Sequence, residues 1–326
     1  ITELYYPGSV FKVITSAVGV DSGLANINTT FTCAGAYGVA KETYHCAGHK
    51  AHGTITLAEA LRQSCNIYYI QLGQRVGSQT FYNYFDAFGF TSRTGVDLPS
   101  ETGFMQYYKA NQLGEVQLAS SAFGQAMAIT PLQMCTAVAA AVNGGYLVTP
   151  HVVDKITDVN GNVIEEIGAN ARRQVISEST SNVIRQIMEY EVGAGTGGGK
   201  YAYVSGYRIG GKSGTSEQLN MDRRADGDYK KVASFAAVLP ADDPEIIVYV
   251  MLDDPNNART DYSSLLAAPV VGNIISEIAP YLGIAADGED RSQTVVTVPN
   301  LVGTEWSSAQ VQLNIKGLRH QLAEST

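Results

Sequence analysis

No stretch of the sequence approaches the ~18 consecutive apolar residues that a membrane-spanning helix needs. Basic residues are also short, with 22 Lys and Arg against 31 Asp and Glu and a net charge of −9. That balance argues against a nucleic-acid partner and suits a soluble, exposed surface. Cysteine is scarce, at Cys33, Cys46, Cys65 and Cys135. Cys135 falls in an apolar stretch and reads as a small core residue. Cys33 and Cys46 flank a glycine-containing loop close to His45, His49 and His52. Two readings stay open there: a disulfide between the two cysteines, or zinc held by both cysteines and two of the histidines. The spacing matches no standard finger, so no metal is expected. The 326 residues, 45% apolar with 33 glycines, leave room for one large domain or two smaller ones.

The opening Tyr5-Tyr6-Pro7-Gly8-Ser9-Val10-Phe11-Lys12 is a turn running into an apolar helix. Val10, Phe11, Val13, Ile14, Ala17 and Val18 have helical spacing, which sets Ser9 at the helix start and Lys12 one turn later on the same face. A serine is a poor nucleophile until a base takes its proton, and a lysine does so only where its surroundings hold it neutral. Alone, S-x-x-K reads as a capping serine and a solvated lysine. Two further motifs follow in order: Ser64-Cys65-Asn66, and Lys212-Ser213-Gly214 followed by Thr215. Residues 206–213 also match the P-loop pattern G-x-x-x-x-G-K-[ST], but a polar run follows where an apolar helix is required.

Helical periodicity predicts helices over 56–70, 80–88, 130–142, 177–192 and 263–282, and little periodicity over 26–53. Residues 146–167 read as a short meander around an Asn160-Gly161 turn, and 232–239 with 246–252 as a hairpin of central, near-continuous apolar strands. The run 193–199, with five glycines in seven residues, has little reason to order by itself.

S-x-x-K, S-x-N and K-[ST]-G in this order resemble the serine D,D-transpeptidases and their penicillin-recognising relatives. Residues 6–9 (Tyr-Pro-Gly-Ser), His52-Gly53, 94–99 (Thr-Gly-Val-Asp-Leu-Pro), Phe123-Gly124-Gln125 and 129–133 (Ile-Thr-Pro-Leu-Gln) are similar to class B penicillin-binding proteins. Val298-Pro299-Asn300-Leu301-Val302-Gly303 is similar to the start of a PASTA domain, which points to a Gram-positive type. The resemblance implies an α+β fold (an α/β sandwich) with a central antiparallel sheet flanked by helices. It divides the chain into a transpeptidase domain over 1–284, a linker over 285–294 and a partial PASTA domain over 295–326. The family places strands ahead of the nucleophile, so the chain reads as a fragment whose sheet ends in an apolar edge at 246–252.

By resemblance, Ser9 attacks the carbonyl of a D-alanyl-D-alanine stem peptide, Lys12 is its base, Ser64 relays the proton and Asn66 holds the substrate amide. Lys212, Ser213, Gly214 and Thr215 bind the terminal carboxylate, and the backbone N–H groups of Ser9 and Thr215 form the oxyanion hole. No cofactor and no metal are expected. Implied partners are peptidoglycan stem peptides, β-lactams as covalent inhibitors, a membrane glycosyltransferase and divisome or elongation proteins, with no nucleic acid. The implied location is the extracytoplasmic face of the cell membrane, through an anchor outside the sequence. A β-lactamase needs a deacylating base such as the glutamate of E-x-x-L-N, which has no match between Asn66 and Lys212. A β-lactam sensor, a muropeptide binder or a D,D-carboxypeptidase carries the same motifs.

Overall fold

A computed structural model describes residues 1–193, 197–218, 223–224, 227–255 and 262–286, with scattered positions between 298 and 313. Two compact units divide the chain: residues 1–60 with 64–184, and residues 61–63 with 185–326.

In the first unit a single 3-10 turn, Gly8–Phe11, runs straight into α1 (Lys12–Asp21). Its apolar positions Val10, Phe11, Val13, Ile14, Ala17 and Val18 are all buried. The Phe11 ring meets Phe81, Phe85 and Phe90 at centroid separations of 6.1, 6.1 and 5.4 Å. Burying such a side chain stabilises by about 1.5–3 kcal/mol, so this residue fixes the helix whose first turn carries the nucleophile motif. At the far end, Asp21 accepts hydrogen bonds from Tyr84 Oη and from the backbone N–H of Ser177.

Residues 26–53, which carry little periodicity, hold three short strands and the start of a fourth. β1 (Thr30–Cys33) pairs with β4 (Gly53–Thr56), and β2 (Ala36–Val39) with β3 (Glu42–His45), both antiparallel. Most of their side chains are exposed or half-buried, so no alternation of apolar residues announced them.

The predicted helix over 56–70 is two helices, α2 (Leu57–Arg62) and α3 (Asn66–Val76). Thr56 and Glu59 cap the first, with Thr56 N donating to Glu59 Oε2 at 2.8 Å. The break falls at Ser64, which has φ +52°, a left-handed conformation that no helix accommodates. α4 (Ser78–Ala87), α5 (Glu115–Ala122) and α6 (Pro131–Val142) follow. α6 opens on a capping box in which Gln133 N donates to Thr130 Oγ1 and Thr130 N to Gln133 Oε1. Gln133 Nε2 also reaches Ser92 O at 2.8 Å, tying the turn-rich stretch before it to α6.

The expected meander is rearranged. β5 (Tyr146–Thr149) pairs with β8 (Asn170–Gln174), while β6 (Lys155–Thr157) and β7 (Val163–Glu166) form the hairpin around Asn160-Gly161. β8, Asn-Ala-Arg-Arg-Gln, is exposed throughout and has no strand signal. Helix α7 (Glu178–Gly193) comes next.

The second unit is built on β9 (Gly210–Glu217), β10 (Lys231–Leu239) and β11 (Ile246–Asp253), antiparallel in the order β11-β10-β9. The expected hairpin of β10 and β11 forms, with Ala236 opposite Tyr249. Only β10 is central and buried. Among the described residues β11 is an edge strand with half-buried side chains. Helix α8 (Ser263–Tyr281) lays Ala267, Ala268, Val271, Ile275 and Ala279 on Phe235, Ala237 and Leu239 of the sheet. By length and composition α8 would pass for a membrane span, but these buried residues make it a core helix. Most of the expected linker, and the PASTA-like segment apart from scattered positions, lie outside the described residues.

Candidate active site

Ser9 occupies the second position of the 3-10 turn and is half-buried, while Lys12, the first residue of α1, is fully buried. The turn is held from outside by Gly124. Gly8 N donates to Gly124 O at 2.9 Å, and a Cβ on Gly124 would stand 2.1 Å from Gly8 O. Gly124 also has φ +87°, so both conformation and closeness require glycine there. This accounts physically for the Phe123-Gly124-Gln125 stretch of the resemblance.

The Lys12 amine lies 3.0 Å from Ser9 Oγ, 3.1 Å from Ser64 Oγ, 2.7 Å from Ser64 O and 2.7 Å from Asn66 Oδ1. The interruption between α2 and α3 makes this possible. The positive φ of Ser64 turns its carbonyl and its hydroxyl toward the amine, and Asn66 starts the next helix with its amide oxygen on the same group. Asn66 is fixed from its other end, where Nδ2 donates to His45 O at 2.9 Å. Ser64 and Asn66 are half-buried while Cys65 between them is fully buried, so the outer two residues of the motif face one way and the middle one the other. The Tyr69 ring lies 5.7 Å from the amine, and Tyr69 Oη shares a 2.8 Å hydrogen bond with Ser16 Oγ. Burial pushes the Tyr69 phenol well above its usual value, so this neighbour stays neutral.

Lys212, Ser213, Gly214 and Thr215 share strand β9 of the second unit. Lys212 is fully buried, 3.3 Å from Ser213 Oγ and 3.5 Å from Glu191 Oε1. Thr215 Oγ1 accepts from Ser263 N at 3.1 Å, tying β9 to the start of α8. The extended β9 also disposes of the P-loop match, which requires a helix after its lysine.

Glu191 is the residue that sequence reasoning missed. It sits in the last turn of α7, fully buried, and desolvation pushes its carboxyl up to about 7 against the opposing pull of Lys212. Burial likewise lowers the Lys212 ammonium, with Glu191 opposing. A Cβ on Gly199 would meet Glu191 Oε2 at 1.9 Å, and one on Gly197 would meet Glu191 O at 2.6 Å. Part of the glycine run is therefore packed tightly on this acid. The only signal in the sequence was an acid directly ahead of that run.

The sequence profile described as "Penicillin binding protein transpeptidase domain" matches residues 1–276, and the chain belongs to that family. It is 36% identical to stage V sporulation protein D of Bacillus subtilis over 97% of this chain and 50% of that protein. It is 33% identical to a probable peptidoglycan D,D-transpeptidase FtsI of Caulobacter vibrioides over 91% of this chain and 49% of that one. The chain thus spans about half the length of these curated relatives. Among solved structures, apo penicillin-binding protein 3 of Mycobacterium tuberculosis superposes with a TM-score of 0.77 at 28% identity, covering 88% of this chain and 65% of that one. The fold is the α+β fold of these transpeptidase domains.

Proposed function

We propose that this chain is the catalytic part of a peptidoglycan D,D-transpeptidase that cross-links stem peptides through an acyl-enzyme on Ser9 and is acylated there by β-lactams. The observation that carries the reading is the Lys12 amine within 3.1 Å of Ser9 Oγ, Ser64 Oγ and Asn66 Oδ1. In this reading Lys12 takes the proton of Ser9 Oγ as it attacks the D-alanyl carbonyl, and Ser64 passes a proton to the departing D-alanine amine. Asn66 holds the substrate amide and keeps Lys12 in place. The backbone N–H groups of Ser9 and Thr215 stabilise the oxyanion, and Lys212, Ser213 and Thr215 receive the terminal carboxylate. The amine of a second stem peptide then takes the acyl group and frees Ser9. A membrane anchor, a PASTA module at 295–326 and a glycosyltransferase partner at the extracytoplasmic face complete the assembly that the resemblance implies.

Fluorescent-penicillin labelling with intact-mass analysis tests this. A stable adduct on Ser9 is expected, absent in Ser9→Ala and slowed about 10²–10⁴-fold in Lys12→Ala. Rapid release of hydrolysed drug would replace the transpeptidase with a β-lactamase. Failure to turn over a stem-peptide donor and acceptor, with a stable adduct present, would leave a sensor. No adduct on folded protein sinks the proposal.

A further inference from the structure

The sulfurs of Cys33, Cys46 and Cys65 and a ring nitrogen of His52 converge, all within 4.8 Å of one another. Cys33 Sγ and Cys46 Sγ are 3.6 Å apart, Cys46 Sγ and Cys65 Sγ 3.6 Å, and Cys33 Sγ and His52 Nδ1 3.4 Å. Zinc binds thiolate at about 2.3 Å and imidazole at about 2.0–2.1 Å, so a tetrahedral ion needs S···S edges of ~3.8 Å and S···N edges of ~3.6 Å. Three of the six edges lie within about 0.2 Å of those of that tetrahedron, and the other three lie within 4.8 Å. A disulfide would join two of the sulfurs and leave the third, buried thiol and the imidazole unexplained.

The four donors come from separate, mutually braced pieces of backbone. Cys33 ends β1, His52 precedes β4, and the β1–β4 ladder sets Cys33 opposite Gly53, with His52 N donating to Cys33 O. Cys46 follows β3, and Cys65 is the N-cap of α3, where Tyr68 N donates to its sulfur. A backbone N–H aimed at a ligating sulfur is the kind of outer contact that metal thiolates carry. The three cysteines are buried and His52 is half-buried, which suits a closed structural site with no open position for a substrate.

We propose that Cys33, Cys46, His52 and Cys65 bind one zinc ion that positions the Ser64-Cys65-Asn66 motif. This departs from the expectation of no metal: the sequence offered Cys33 and Cys46 with two histidines, whereas the fold brings His52 and Cys65 to them. That residue lies between Ser64 and Asn66, both on the Lys12 amine, so an ion on its sulfur anchors the strained turn at Ser64 from behind. Cys46 adjoins His45, whose carbonyl holds Asn66, so the same ion fixes both supports of that side chain. Binding replaces the thiol protons with the metal, and all four residues act as positioning residues. The metal site stands independently of the acyl-transfer reading; only its effect on acylation rests on that reading.

Elemental analysis of protein purified under reducing conditions with zinc chloride tests the site. About one zinc per chain is expected, retained in Cys135→Ser and reduced at least about tenfold in Cys33→Ser and in Cys46→Ser. Because those variants can misfold, cobalt(II) chloride is added in parallel to the unaltered chain after chelation. The thiolate charge-transfer and intense visible bands of a tetrahedral Cys₃His site are expected, displaced by zinc. Chelation should also lower the melting temperature reversibly and slow penicillin labelling. Folded, reduced protein with neither stoichiometric zinc nor the cobalt bands overturns the proposal, as does an intact mass showing a disulfide among these cysteines in the reduced preparation. Zinc without labelling would refute acyl transfer and keep the metal; labelling without zinc would do the reverse.

Discussion

Lys12 and Lys212 are both fully buried, yet each has a different kind of company. Around Lys12 stand neutral oxygens: two hydroxyls, a carbonyl and an amide. Beside Lys212 stands an acid whose carboxyl titrates at about 7 because burial disfavours its charge. Its folded value is raised above the unfolded one, so the associated stability is fully present below about 4.5 and lost as pH rises through about 7. Between these limits the parent should lose stability with rising pH relative to Glu191→Gln, which removes the titration. Melting temperatures of the two proteins across this interval check the sign. Glu191→Ala should cost about 3–5 kcal/mol at neutral pH, since it leaves the buried Lys212 with a hydroxyl partner but no carboxylate. Gly124→Ala is the other sensitive position. Its left-handed backbone alone costs about 1–3 kcal/mol, and the Cβ also strikes Gly8 O, so the variant should melt lower and take up penicillin more slowly.

Most of the helices were legible, but α5 (Glu115–Ala122) lies outside every predicted one. α6 announced itself through Thr130, Pro131 and Gln133, and Thr130→Ala should cost about 1 kcal/mol, a fall of about 2–4 °C in melting temperature, with labelling unchanged. The residues of the three motifs were legible as well, because each stands in an ordered pattern along the chain. Three other features were not. The apolar spacing of 56–70 continues through Ser64, so periodicity reports one helix while the backbone turns there to bring Ser64 onto Lys12. Strands β1 to β4 and β8 bury too few side chains for their alternation to register. Glu191 was hidden because a buried acid in the last turn of an amphipathic helix resembles a solvated one until its partner strand is known. The β10–β11 hairpin was visible in its apolar composition, but composition does not tell the central strand from the edge.

For the whole chain, the acid excess gives a sequence pI near 5.1, and solubility should pass through a minimum near that pH. Turbidity at constant protein concentration reads it directly, and the lower part of the Glu191 titration therefore needs dilute samples. The contact between Gly8 and Gly124 also has a consequence for recombination. A chimaera of this chain and a relative, with its crossover anywhere between those positions, inherits the two sides of that contact from different parents. The contact is backbone against backbone, and the Cβ of Phe11 closes the same space beside it. What has to travel with the incoming half is one α-hydrogen, pointing at a carbonyl oxygen beside the nucleophile.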